Sequence, residues 1–263
     1  MKPSILVSIL LLGAANLASA QQQQQQQQQP PRWSLGLGSA VSDGVYAGEG
    51  NRITPFPLLS YEGERFFWRG ISGGAHLLKT REFSLDATLS ARFDGMDRDD
   101  FGTAELAERG INRALLADRD DGLDLGMALA WRGAAGQLSL AVKADISGAS
   151  KGAETTLQYA YPIQWGATRV SPNIGVTHLS KKMANYYYGT LPEEVARGVR
   201  DYKPGSAALP RIGVDVLRPF AQRWVFIGNL SYQKLPGKIS DSPLLEKDTD
   251  GKVSAFIGVA RGF

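Results

Sequence analysis

His76 and His178 are the only imidazoles in a chain that has no cysteine at all. Their separation matches no metal-binding pattern such as H-E-x-x-H. The lack of cysteine removes disulfides, thiolate metal sites, cysteine nucleophiles and a lipid anchor on an N-terminal cysteine. A serine hydrolase working at a lipid face would need a base beside its nucleophile, and His178, at the end of an alternating segment, is the one candidate. The plainer expectation is a rim histidine facing headgroups. The residues therefore predict no catalytic group, no cofactor and no metal. More informative are six ionic side chains, Asp86, Arg92, Asp124, Arg132, Lys143 and Asp145, each alternating with apolar neighbours. They could line a conducting pore or pair with one another and fill the space, and their mixed signs favour pairing. Residues 94–121 mix Asp97, Asp99, Asp100, Asp118, Asp120 and Asp121 with Arg98, Arg109, Arg113 and Arg119. Such a run could hold calcium or bridge lipopolysaccharide through divalent ions. It lacks the glycine and distal glutamate of an EF-hand, so a solvated, self-paired loop is expected. A last cluster, Tyr186, Tyr187, Tyr188 and Tyr202, surrounds Thr190-Leu191-Pro192-Glu193. That tetrapeptide reads as a capping box with proline in the first turn, predicting a short helix through Arg197 that ends near Gly198. The tyrosines suit partner recognition equally as well as a loop folded back over whatever lies beneath.

The elements that position these groups are strands. From Phe83 to Asp94 the residues Phe83, Leu85, Ala87, Leu89, Ala91 and Phe93 take one face; Ser84, Asp86, Thr88, Ser90, Arg92 and Asp94 take the other. A helix would mix the two sets. Similar alternation recurs at 122–132 and 137–147, joined by a tight turn at 133–136, and continues through 153–163, 168–178, 208–218, 223–233 and 252–263. An 11-residue strand at about 3.3 Å per residue, tilted near 45°, spans roughly 26 Å, close to the apolar band of a transmembrane barrel. Adding strands at 32–41, 52–61, 65–71, 72–79 and 83–93 predicts an all-β, single antiparallel transmembrane barrel of twelve strands. Long connections at 42–51, 94–121, 179–207 and 234–251 then fall on the extracellular side. The short turns at 62–64, 133–136, 164–167 and 219–222 fall on the periplasmic side. The weak pair is 65–71 with 72–79, and ten strands is the alternative count. Trp33, Phe83, Phe93, Trp131, Trp165, Trp224 and Phe263 gather near strand ends as an aromatic girdle would. Terminal Phe263 closes the last alternating run, as a barrel-insertion signal does.

The N-terminus agrees with export. Lys2, the apolar stretch from Ile5 to Leu12 and Ala18-Ser19-Ala20 predict a cleaved signal peptide over 1–20. The Gln/Pro-rich segment 21–31 has nothing apolar to bury and is expected to be disordered. The barrel occupies 32–263. A net charge of +3 from 29 basic and 26 acidic residues, without a basic stripe, gives no argument for nucleic acid.

Within this frame, Asn185-Tyr186-Tyr187-Tyr188-Gly189, Pro192-Glu193-Glu194 and Tyr202-Lys203-Pro204-Gly205 resemble the MipA/OmpV family, the MltA-interacting outer-membrane proteins. So do Trp33-Ser34-Leu35-Gly36-Leu37-Gly38, Pro55-Phe56-Pro57 and Tyr61-Glu62-Gly63-Glu64-Arg65-Phe66-Phe67. The polyglutamine tract and Arg261 depart from the pattern. The resemblance implies a protein of the cell outer membrane without catalysis. In one branch it is a scaffold joining a murein lytic transglycosylase to a murein synthase; other branches imply adhesion, osmotic response or porin-like passage of small solutes. Outer-membrane lipid and lipopolysaccharide are the remaining expected partners. A soluble periplasmic barrel with its apolar face turned inward is the alternative that the alternation alone leaves open.

Overall fold

The computed structural model describes residues 31–263. The expected signal peptide, and the expected tether up to Pro30, lie outside the described residues. The first five strands are β1 (Trp33–Ser42), β2 (Arg52–Glu62), β3 (Phe66–Arg69), β4 (Ser72–Lys79) and β5 (Phe83–Arg92). Next come β6 (Gly122–Gly133), β7 (Gly136–Asp145), β8 (Ala153–Ala160), β9 (Ile163–Trp165) and β10 (Thr168–Leu179). The last are β11 (Ala207–Phe220), β12 (Trp224–Lys234) and β13 (Gly251–Gly262). Each pairs antiparallel with its neighbours, and β13 returns to β1 with Gly262 opposite Ser34 and Ser254 opposite Ser42, so the sheet closes.

The segment expected as one strand over 153–163 is broken. Pro162 cannot donate to a ladder, Tyr161 N donates instead to Pro172 O at 3.0 Å, and the chain resumes as β9 against the start of β10. Because β8 and β9 both lie along β10, they form one stave, and the barrel has twelve. The doubtful pair survives as separate strands, although β3 has only four residues.

That short strand explains Pro55 and Pro57. Only Ser60, Tyr61 and Glu62 of β2 face β3, and Gly70 N donates to Leu59 O at 2.9 Å where the β3–β4 turn begins. Backbone groups alternate in direction along a strand, so 53, 55 and 57 turn toward the same side as Leu59, where no strand continues. Proline is tolerated on such an edge because it has no N–H to leave unpaired. One position further along, at Phe56 or Leu58, it would forfeit a bond to Gly38 or Gly36 of β1.

The pleat sends apolar side chains outward. Leu37 (71%), Ile53 (70%), Leu125 (54%), Ile174 (58%) and Ile257 (60%) are exposed on the outer face, while Asp86, Arg92 and Asp124 are buried inside. This excludes an apolar lumen of the soluble kind. The aromatics divide unevenly: Trp33, Phe83, Trp131, Trp165, Trp224 and Phe263 all lie at the end carrying the short turns, and only Phe93 lies at the other.

At the opposite end, the connections 43–51, 93–121, 180–206 and 235–250 pack together over the barrel. They carry four short helices, α1 (Thr103–Glu108), α2 (Lys181–Tyr188), α3 (Pro192–Ala196) and α4 (Gly237–Ser240). Their shared core includes Tyr46, Phe101, Leu106, Met183, Ile239 and Leu244. The 93–121 segment is thus not the solvated, self-paired loop that its charges suggest. Its Met96, Phe101, Leu106, Ile111 and Leu116 are buried, because other loops supply the apolar surface that they pack against.

Candidate functional site

The lumen holds a cavity of about 230 Å³ that runs from beneath this roof to the short-turn end. On its wall Arg92 gathers three carboxylates from different parts of the chain. Arg92 Nη2 is 2.6 Å from Asp124 Oδ2, and its Nη1 donates to Asp94 at 2.9 Å and to Glu154 at 3.0 Å. Arg92 and Asp124 are 3% and 1% exposed, so the desolvated charges offset one another through Asp124 Oδ2, while its Oδ1 is buried without a hydrogen-bond partner. A second network lies lower. His76 Nδ1 is 2.7 Å from Asp86 Oδ1, and His76 Nε2 is 3.1 Å from Glu62. Glu62 also accepts from Arg69 at 2.9 Å and from Lys79 at 2.5 Å.

Of the six ionic residues singled out in the sequence, Asp86, Arg92, Arg132 and Lys143 line the cavity. Asp124 is buried against Arg92. Asp145 departs from the expectation: its carboxylate fastens the β7–β8 connection, accepting from the backbone N–H groups of Ser147 (2.8 Å), Ser150 (2.6 Å) and Lys151 (2.8 Å). His76 was missed as a wall residue. No sequence signal marks it: it stands directly opposite Asp86 across β4 and β5, just before a shift in register. His178 is exposed at the loop end of β10 and points outward, as a rim residue does.

The tyrosines fold back over the mouth. Tyr187 and Tyr188 line the top of the cavity. Tyr46 OH donates to Tyr187 O at 2.9 Å, and the Tyr46 and Tyr188 rings stack at 6.2 Å. Burial pushes all three phenols well above their ordinary range. Tyr186 OH accepts from Asp120 N at 2.7 Å, and Tyr202 OH donates to Lys238 O at 3.1 Å, so each ties two loops together.

The helix expected from the capping box is present as α3, with a different cap. Leu191 is the N-cap, and Glu194, three residues on, accepts from Leu191 N at 2.7 Å. Thr190 uses its hydroxyl to accept from Tyr202 N at 2.8 Å. Glu194 also meets Arg119 from the 93–121 segment, Nη2 to Oε2 at 2.9 Å, and Arg119 donates to Gly189 O at 3.0 Å. Glu194 and Arg119 are 0% and 2% exposed, which makes this pair the polar centre of the roof.

A closed twelve-stave barrel with an apolar outer belt, an ionic interior, short turns at one end and folded loops at the other is an outer-membrane β-barrel. No helix among the described residues is long and apolar enough to cross a membrane; strands do the crossing. The chain belongs to the MipA family: residues 35–263 match the family described as MltA-interacting protein MipA. It is 28% identical to the MltA-interacting protein of Escherichia coli K12, over 86% of this chain and 89% of that protein. With the putative outer membrane protein YiaT of the same organism it shares 27% identity, over 82% and 85%. With outer membrane protein OmpV of Vibrio cholerae it shares 24%, over 85% and 95%. These relatives are named as interacting or outer-membrane proteins, not as enzymes. Among solved structures, an outer membrane channel from Pseudomonas putida F1 aligns over 90% of this chain and 97% of that one, at TM-score 0.45 and 12% identity.

Proposed function

We propose that this protein is a non-enzymatic outer-membrane scaffold that brings a murein lytic transglycosylase and a murein synthase together at the short-turn end of the barrel. The observation that carries this reading is the roof. Four loops close one end of the lumen around a common apolar core, and solute passage would require that core to come apart. By the rule that long loops face out and short turns face in, the roof is extracellular and the open end is periplasmic, where murein enzymes work. A relative of matching length carries the name MltA-interacting protein, and residues 21–31 lead into β1 at that same end. The roof tyrosines then face away from the periplasm, so the enzyme-binding surface consists of turns, lower lumen and the N-terminal segment. The outer belt meets membrane lipid, and the Asp-rich loop meets lipopolysaccharide through bridging divalent ions.

Pull-down of murein enzymes from detergent-solubilised envelopes tests the proposal. Recovery of a transglycosylase and a synthase supports it. Recovery of neither, together with solute flux through the purified protein, supports the alternative of a narrow porin-like channel, for which the cavity of about 230 Å³ is the favouring observation. Reproducible conductance steps in planar bilayers that change on Asp86→Asn would establish that alternative.

A further inference from the structure

The charges on the cavity surface do not balance. It carries seven basic side chains against four acidic ones; Asp124 on Arg92 and Glu62 on Arg69 add two acids that lie off it, and all of these acids are already engaged. Asp94 and Glu154 lie on Arg92, Asp86 on His76, and Asp215 accepts from Asn173 at 2.8 Å and Asn229 at 2.7 Å. Among the described residues, Arg132 and Arg211 have no carboxylate within 4.0 Å. The Nε of Arg211 is buried without a hydrogen-bond partner, and so is the hydroxyl of Tyr187 beneath the roof. Buried donors left unmatched cost free energy unless something else accepts from them. These groups are spread along the barrel axis: Arg132 next to the short turn at Gly133, Arg211 opposite Gly175 within the wall, Tyr187 at the roof.

We infer that the lumen is a dead-ended binding site, entered from the short-turn end, for a short peptide carrying two or more carboxylates. A guanidinium fork matches a carboxylate in geometry as well as charge. Donors strung along the axis suit separated carboxylates on an extended chain better than one compact anion. Lipid headgroups do not qualify, because the wall lies between them and these inward-facing groups. The connections at the open end are too short to cross it among the described residues. The inference goes beyond the scaffold reading and shares with it the orientation of the barrel and the open lower lumen.

Calorimetry on the full chain in nanodiscs tests it, with the tripeptide Glu-Ala-Glu as probe and amidated Gln-Ala-Gln and inorganic phosphate as controls. The tripeptide should bind, more weakly as salt is raised, and the amidated control should not. Arg132→Gln and Arg211→Gln should each weaken binding on the order of tenfold, while heat-modifiable gel mobility reports that the barrel has formed. Arg132, beside the turn, provides the readout if Arg211→Gln does not fold. Failure of the wild type to bind the tripeptide, equal binding of the amidated control, or unchanged affinity in both variants would overturn the inference. Phosphate binding as tight as the tripeptide would overturn its peptide part. Pull-down of murein enzymes by the wild type keeps the two readings apart: enzyme recovery without tripeptide binding retains only the scaffold, and tripeptide binding without enzyme recovery retains only this inference.

Discussion

Arg119 and Glu194 show how a single residue pair holds separate loops in place. Each is nearly inaccessible to solvent, so removing one partner leaves an unmatched buried charge. Glu194→Ala should destabilise the roof by about 3–5 kcal/mol, and adding Arg119→Ala should recover part of that loss. Protease cleavage within 93–121, measured for each variant, reads the result; equal susceptibility of wild type and Glu194→Ala would refute it. Asp121 offers a pH test in the same loop. Partial desolvation of this solvent-facing carboxyl, and then the nearby Asp94, Asp97 and Asp120, raise its pKa, against the opposing bond from Gly95 N at 3.0 Å. Its folded pKa therefore exceeds the unfolded one. The associated stabilisation is complete below the ordinary carboxylate value and is lost as pH rises through the raised one. Asp121→Asn keeps an oxygen for Gly95 and should flatten the pH dependence of roof stability in that window, as followed by loop proteolysis.

Among the elements, β2 carries the most specific claim. Its prolines sit on the edge that β3 leaves uncovered, so Pro57→Ala should change barrel stability by no more than about 0.5 kcal/mol. Leu58→Pro should cost about 3 kcal/mol or more, because that N–H bonds to β1. Heat-modifiable mobility and urea unfolding in detergent compare the two; similar losses would mean that the edge is paired. Strand existence and face were legible where alternation survives, as in β5, β6 and β7; β4 lacks it, with adjacent Leu77 and Leu78 both exposed at a register shift. The interruption at Pro162 and the shortness of β3 were not legible, since both depend on where neighbouring strands run out.

For the whole molecule, the absence of cysteine makes the orientation directly measurable. Single cysteines replacing exposed Lys182 or Lys247 in the roof should react with a membrane-impermeant maleimide on intact cells. Those at Arg81 or Ala134 should react only after the outer membrane is opened. The reverse pattern would invert the barrel and remove the scaffold proposal with it. The candidate site was partly legible at this scale. Asp86, Arg92, Arg132 and Lys143 could be assigned to the inner wall from period-two spacing, but Asp145 could not be recognised as a turn clasp, nor His76 as the partner of Asp86.

The sequence by itself pointed to a barrel of twelve staves, with ten as the alternative, and determined which residues share a face, because side-chain direction in a strand is set locally by residue parity. That the oily face is the outer one came from the tertiary structure. Only the tertiary structure decided that the loops form a roof, that Arg92 collects three carboxylates and that Arg211 finds none. Those outcomes depend on which distant segments meet, through stagger between strands and packing between loops, and no local periodicity records either.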